Sequence, residues 1–144
     1  MTRIDTYVAC AMTAMPEEEY TAFRHSVLAT CDALAEHGFS PYREPYEMGV
    51  ESIDTPGEAI ALNKPILDGA ERFVLIYTHK EGSSSLIELG YAWARGIPIF
   101  IFAKRGVKVP YYLRDAEAAR EYGIYIHTFD DEREIAGMVR DIHF

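Results

Sequence analysis

A parallel α/β sheet with helices on both faces is the fold this sequence predicts, and three features predict it. The first is a pair of short apolar runs, Phe73 to Tyr77 and Pro98 to Phe102, with no polar alternation. Such runs are the pattern of strands buried on both faces. The second is the segment between them. A small polar loop, Thr78 to Ser84, leads into a helix that Ser85 opens and Gly96 stops, giving a β-loop-α-β unit whose strands are expected to run parallel. The third is that strand-like and helix-like segments alternate along the whole chain.

Taken in order, Thr6 to Ala11 reads as a first strand rich in small residues, and Met12 to Met15 as a loop. Pro16 suits the first position of a helix, and Glu17, Glu18 and Glu19 favour its positive end. Tyr20, Phe23, Val27, Cys31 and Leu34 recur at three- and four-residue spacing, one apolar face, and His37-Gly38 stops the helix. The three glutamates read as a solvated helix start rather than a metal site. Phe39 to Tyr42 reads as a short second strand and Arg43 to Asp54 as a polar loop. Thr55-Pro56-Gly57-Glu58 is a capping-box start. Pro65 removes a backbone donor, so a kink or restart is expected there, with Asn63 placed to cap the second piece. Beyond the central unit, Ala103 to Pro110 is a basic loop carrying Lys104, Arg105 and Lys108. Tyr111 to Tyr122 looks helical, Ile124 to His127 makes a fifth strand, and Asp130 to Asp141 a closing helix. Five strands favour a flavodoxin-like three-layer sandwich of order 2-1-3-4-5, in which the first and third strands flank the ligand crevice.

The chain has 144 residues, 49% of them hydrophobic, enough for one domain with its own core spanning 1–144. A formal charge of −9 argues against nucleic acid as a partner, because phosphate backbones call for a basic face. It leaves room for a small phosphorylated ligand, which needs one or two local donors. Cys10 and Cys31 lack metal-ligand company and read as buried thiols of a reduced, cytoplasmic protein. No apolar run reaches membrane-spanning length, and Met1 to Asp5 lacks a signal-peptide pattern. No cofactor is implied: neither GxGxxG nor GxxxxGK[ST] is present.

Ligands of open parallel sheets bind where strands end and helices begin. That places Ala11, Met12, His79, Gly82, Ser83, Ser84 and Ser85 along the crevice, with Glu88 above it. The loop before the helix offers backbone N–H groups and hydroxyls to an anion. Glu88 has two readings from spacing alone. Ser85-Leu86-Ile87-Glu88 fits a capping box, in which the carboxylate reaches back to the Ser85 N–H; alternatively the carboxylate does chemistry. Asn63 likewise reads as a helix cap or a ligand contact. Tyr7, Tyr46, Tyr91 and Trp93 are candidates to stack a base, with at least one of Tyr91 and Trp93 expected in the core.

The segment Ser84 to Pro98, with Ile87-Glu88-Leu89-Gly90-Tyr91-Ala92 and Gly96-Ile97-Pro98, resembles the nucleoside 2-deoxyribosyltransferase-like family. That family includes nucleoside deoxyribosyltransferases, deoxynucleoside monophosphate N-glycosidases and cytidylate N-hydrolases. Leu62-Asn63 through Gly69-Ala70-Glu71 looks similar to the family's Asp-containing helix running into an Ala-Asp and the third strand. The resemblance implies Glu88 as a nucleophile on the anomeric carbon of a nucleoside or nucleoside 5′-monophosphate, Asn63 beside the nucleoside, and a homo-oligomer. This chain departs from the family pattern in carrying Ser84-Ser85 for Gly-Thr, Asn63 for the helix aspartate and Glu71 for the Ala-Asp acid. Two other readings accompany it: a TIR-like NAD glycohydrolase, and a non-catalytic nucleotide-binding or sensing module on the same fold.

Overall fold

Four parallel strands carry the fold in the computed structural model, which describes residues 3–10, 16–47, 55–78 and 83–144. They are β1 (Thr6–Cys10), β2 (Arg72–Tyr77), β3 (Ile99–Lys104) and β4 (Ile124–Phe129), in the order β1-β2-β3-β4. The register sets Tyr7 beside Phe73, Phe73 beside Ile99 and Ile99 beside Ile124. β2 and β3 occupy the middle, and Phe73 to Tyr77 and Ile99 to Ala103 are buried throughout, as their unbroken apolar pattern requires.

Helices cover both faces. On one side α1 (Glu17–Glu36) and α6 (Ile135–Asp141), joined by the short α2 (Glu44–Glu47), bury Phe23, Val27, Leu34, Tyr46, Ile135 and Val139 against Val8, Val74, Ile76 and Phe102. On the other, α3 (Pro56–Gly69), α4 (Ser83–Arg95) and α5 (Ala116–Glu121) set Leu67, Leu89, Ala92 and Ala119 on Tyr7, Phe73, Leu75 and Ile101. This is a three-layer α/β sandwich consistent with the flavodoxin-like class.

The expected second strand does not form. Phe39 to Tyr42 is reduced to one parallel bridge between Thr6 and Pro41 on the outer side of β1, so the order is 1-2-3-4 rather than 2-1-3-4-5. Gly38 turns the chain at φ +88° just before it, Pro41 has no N–H to give to a ladder, and α2 begins at Glu44. What remains is a clasp: Asp5 N and Thr6 N donate to Ser40 O, and Tyr42 N donates to Thr6 O at 2.9 Å. Two residues along the same edge, the Tyr46 hydroxyl donates to Val8 O at 2.5 Å. A side chain thus takes over where the missing strand would have paired.

Other boundaries shift. Residues 43–54, expected as loop, contain α2 with Tyr46 buried, while Met48 lies outside the described residues. α3 runs unbroken through Pro65, so no restart occurs and Asn63 caps nothing. Pro65 and Ala61 both face outward, where water can satisfy the carbonyl that Pro65 leaves without a donor. Tyr111 to Tyr122 divides into a 3-10 turn at Tyr111–Leu113 and α5, which Asp115 caps through the Ala118 N–H at 3.0 Å.

Candidate active site

α4 begins at Ser83, so Ser85 lies inside its first turn rather than at the cap. From there Ser85, Leu89 and Ala92 point to the sheet, while Ser84, Ile87 and Gly90 face out. Glu88 falls on the margin between these faces and is half-buried. Its Oε2 accepts a hydrogen bond from the Tyr7 hydroxyl, reaching it from β1 across the sheet face. The capping-box geometry is replaced by a contact between residues 81 positions apart.

The pair is electrostatically asymmetric. Burial raises the Glu88 carboxyl above its ordinary range, and the Tyr7 hydrogen bond opposes that rise. Burial, then the Glu88 charge, drive the Tyr7 phenol far above its ordinary value, so Tyr7 keeps its proton and donates. A carboxylate anchored through one oxygen leaves the other free to act.

Tyr7 is itself held in place. Its ring stacks on Phe73 at 5.8 Å and tilts against Tyr42 at 5.5 Å. The Tyr42 hydroxyl donates to Asn63 Oδ1 at 3.0 Å. Two tyrosines therefore link Glu88 on α4 to Asn63 on α3 over the start of β1. The amide nitrogen of Asn63 has no partner among the described residues. Asn63, Glu88 and Ser85 thus share one face of the sheet, with Ser85 buried at its first turn and Ser84 exposed beside it. Ala11, Met12, His79 and Gly82 lie outside the described residues, as does the side chain of Ser83.

The candidate base-stacking rings go elsewhere. Tyr46 is 3% exposed on the opposite face of the sheet. Tyr91 donates to Asp68 beneath Lys64, whose Nζ lies 4.5 Å above its ring, and so ties α4 to α3. Trp93 points away from the sheet and meets Tyr112 edge-on at 6.3 Å. Tyr7 enters the site through its hydroxyl rather than its face. Tyr42 was missed as a site residue: nothing in the sequence near it marks a residue meant to hold Asn63. The thiols of Cys10 and Cys31 are buried, and burial pushes each up to about 12, so both are inert as nucleophiles. Among the described residues no group of three or more His, Cys, Asp or Glu is arranged to hold a metal. No described helix is long and apolar enough to cross a membrane.

The arrangement of the sheet and its two helical layers has a counterpart among solved structures. The chain shares its fold with a CMP N-glycosidase. That protein is BcmB of Clostridium botulinum, similar to this chain at a TM-score of 0.63 and 16% identity over 94% of this chain and 96% of BcmB. The likeness is one of fold, at an identity too low to carry side-chain roles across. No protein-family profile matches the chain, and no curated protein sequence matches it.

Proposed function

We propose that this chain cleaves the N-glycosidic bond of a nucleoside or nucleoside 5′-monophosphate, with Glu88 as the nucleophile. The observation that carries the reading is the Tyr7–Glu88 hydrogen bond: a half-buried carboxylate fixed through Oε2 by a phenol that stays protonated. The fold shared with a CMP N-glycosidase supports the same reaction class.

In the first step Oε1 of Glu88 attacks C1′ as the C1′–N bond breaks. The bonding pair leaves with the base, which takes up a proton from solvent, and a sugar ester forms on Glu88. The transition state has oxocarbenium character, so the negative charge stabilises it before the new bond is complete. Water then attacks C1′, the ester bond breaks, Glu88 regains its charge, and the water's second proton leaves to solvent. Transfer to a second base in place of water is the same second step with another acceptor. Tyr7 disperses the Glu88 charge at rest and fixes which oxygen attacks. Asn63, oriented by Tyr42, offers its amide N–H to an acceptor on the sugar or base.

The test is incubation with a panel of nucleosides, nucleoside monophosphates and NAD, followed by chromatography for free base. Release from a nucleoside or monophosphate is the expected result. Release from NAD alone would assign the chain to NAD glycohydrolysis, and binding without any release would make it a nucleotide-binding module.

Self-association belongs to the same reading. Trp93, Tyr111 and Tyr112 form a contiguous aromatic patch exposed to 43%, 77% and 76%. It offers on the order of 400 Å² per copy, short of the ~1,200 Å² total of a stable interface even when doubled. A second copy packed there gives a weak dimer. Sedimentation should show a mass that rises with concentration above the micromolar range, and an unchanging monomer would contradict it.

A further inference from the structure

α3 is held unequally along its length. Its last turns are anchored: Leu67 is buried in the core, Arg95 Nη1 donates to Leu67 O at 2.8 Å and to Ala70 O at 3.1 Å, and Lys64 and Tyr91 both meet Asp68. Its first half is not. Pro56, Gly57, Glu58, Ile60, Ala61 and Leu62 are all exposed, Ile60 to 68% and Leu62 to 50%. Among the described residues one side-chain hydrogen bond ties this half to the body of the molecule, from the Tyr42 hydroxyl to Asn63 Oδ1 at 3.0 Å. The half adds no residue to the core, so packing does not explain it.

Between the two halves stands Pro65. It has no N–H to give the Ala61 carbonyl, and its ring crowds that carbonyl, so the helical ladder lacks a bond just where the anchored part begins. Proline positions are where helices bend, and a segment with few buried apolar contacts opens well below the cost of global unfolding. The neighbours of this half say what its movement would do. Tyr42 packs against Tyr7 with 5.5 Å between ring centroids, and Tyr7 donates to Glu88. Glu88 leans from α4 toward β1, and the Tyr91–Asp68 bond ties α3 alongside α4.

We infer that the first half of α3, Pro56 to Asn63, is a lid on the Glu88 site, hinged at Pro65 and latched shut by the Tyr42–Asn63 hydrogen bond. Opening parts Asn63 from Tyr42 and uncovers Tyr7 and Glu88. Closing returns the Asn63 amide to the site and keeps bulk water from the carboxylate. Tyr42 is then a positioning residue, acting on Glu88 only through Asn63 and Tyr7. That the lid admits a nucleoside or nucleotide rests on the N-glycosidase reading; the movement itself does not.

Two measurements test the lid without turnover. Both compare wild type with Tyr42→Phe, which removes the latch, and Pro65→Ala, which restores the missing ladder bond. The first is amide exchange resolved residue by residue by NMR. In wild type, Ile60 to Asn63 should exchange at least about tenfold faster than Leu67 to Gly69. Tyr42→Phe should speed the first set alone by about twofold to tenfold, the range of one neutral hydrogen bond, and Pro65→Ala should slow it. One rate for the whole helix, or a Tyr42→Phe change that is absent or equal in both sets, overturns the hinge and latch. The second is labelling of Glu88 by a water-soluble carbodiimide with glycinamide, read by mass spectrometry, with the exposed Glu17 of α1 as internal standard. Relative to Glu17, Glu88 should label faster in Tyr42→Phe and slower in Pro65→Ala, again by about twofold to tenfold. Equal labelling in all three proteins, each shown by its melting curve to be folded, overturns the lid. That result leaves the N-glycosidase reading standing, and a blank base-release panel leaves the lid standing.

Discussion

Two buried tyrosines lie on opposite faces of the sheet at β1, and their hydroxyls bond to different kinds of acceptor. Tyr46, from α2, donates to the backbone carbonyl of Val8, on the edge that the expected second strand would have paired. Tyr7, from β1 itself, donates to the side chain of Glu88. The first satisfies a neutral acceptor that every fold of this kind must satisfy somehow. The second holds a charged group in a place where charge is costly, since burial alone pushes the Glu88 carboxyl up. Backbone completion is a matter of stability; a carboxylate kept half-buried with a protonated phenol beside it is not needed for the fold. The difference separates architecture from chemistry within one strand.

That contrast breaks first at Glu88. Glu88→Gln keeps the volume and an acceptor for Tyr7 but cannot form a sugar ester, so base release should fall by about a thousandfold or more in a discontinuous assay. Next comes Tyr7→Phe, which keeps the ring on Phe73 and Tyr42 and removes only the donor. Loss of one charge-assisted hydrogen bond should lower kcat by about tenfold to 100-fold. Because that bond opposes the upward shift of the Glu88 carboxyl, the acidic limb of the pH–rate profile should move to higher pH. In wild type this limb should already lie above the ordinary glutamate value of about 4.3. A Tyr7→Phe profile with an unmoved limb would reduce Tyr7 to packing.

Tyr46→Phe should show the reverse pattern. It leaves the Val8 carbonyl unpaired and should cost about 1–3 kcal/mol in denaturant unfolding, with kcat/KM unchanged. The smallest expected effect is a pH dependence of stability. The folded-state pKa of Glu88 is raised, so its contribution is fully present below the unfolded carboxyl value and is lost as pH rises through the folded value. Glu88→Gln should therefore melt with wild type near pH 4 and at an equal or higher temperature at pH 7. A Gln variant that melts lower at pH 7 would return Glu88 to a structural role.

The central β2-α4-β3 unit was legible because its physics is local. Unbroken apolar runs mark buried strands, Gly96 at φ +75° ends the helix, and Glu88 stands out as the carboxylate on its first turns. What the sequence hid is long-range. No spacing rule connects Tyr7 with Glu88 or Tyr42 with Asn63, because both bonds depend on how α3 and α4 settle on the sheet. The capping-box pattern at Ser85 was a local signal that tertiary contact overrode, and the Asn63 cap failed because α3 passes Pro65 without restarting. The lost strand failed for a local reason that outweighs its apolar residues: Pro41 and the nearby start of α2 leave room for one bridge.

The most direct test of Glu88 as the nucleophile is to look for what it would carry. Wild-type protein is mixed with the substrate that the base-release panel selects, quenched in acid during turnover, digested and weighed by mass spectrometry. The α4 peptide containing Glu88 should gain the mass of the sugar, with its phosphate where the substrate has one, and the same peptide from Glu88→Gln should not. A sugar found on another residue, or a Glu88→Gln protein that releases base at the wild-type rate, would contradict the account.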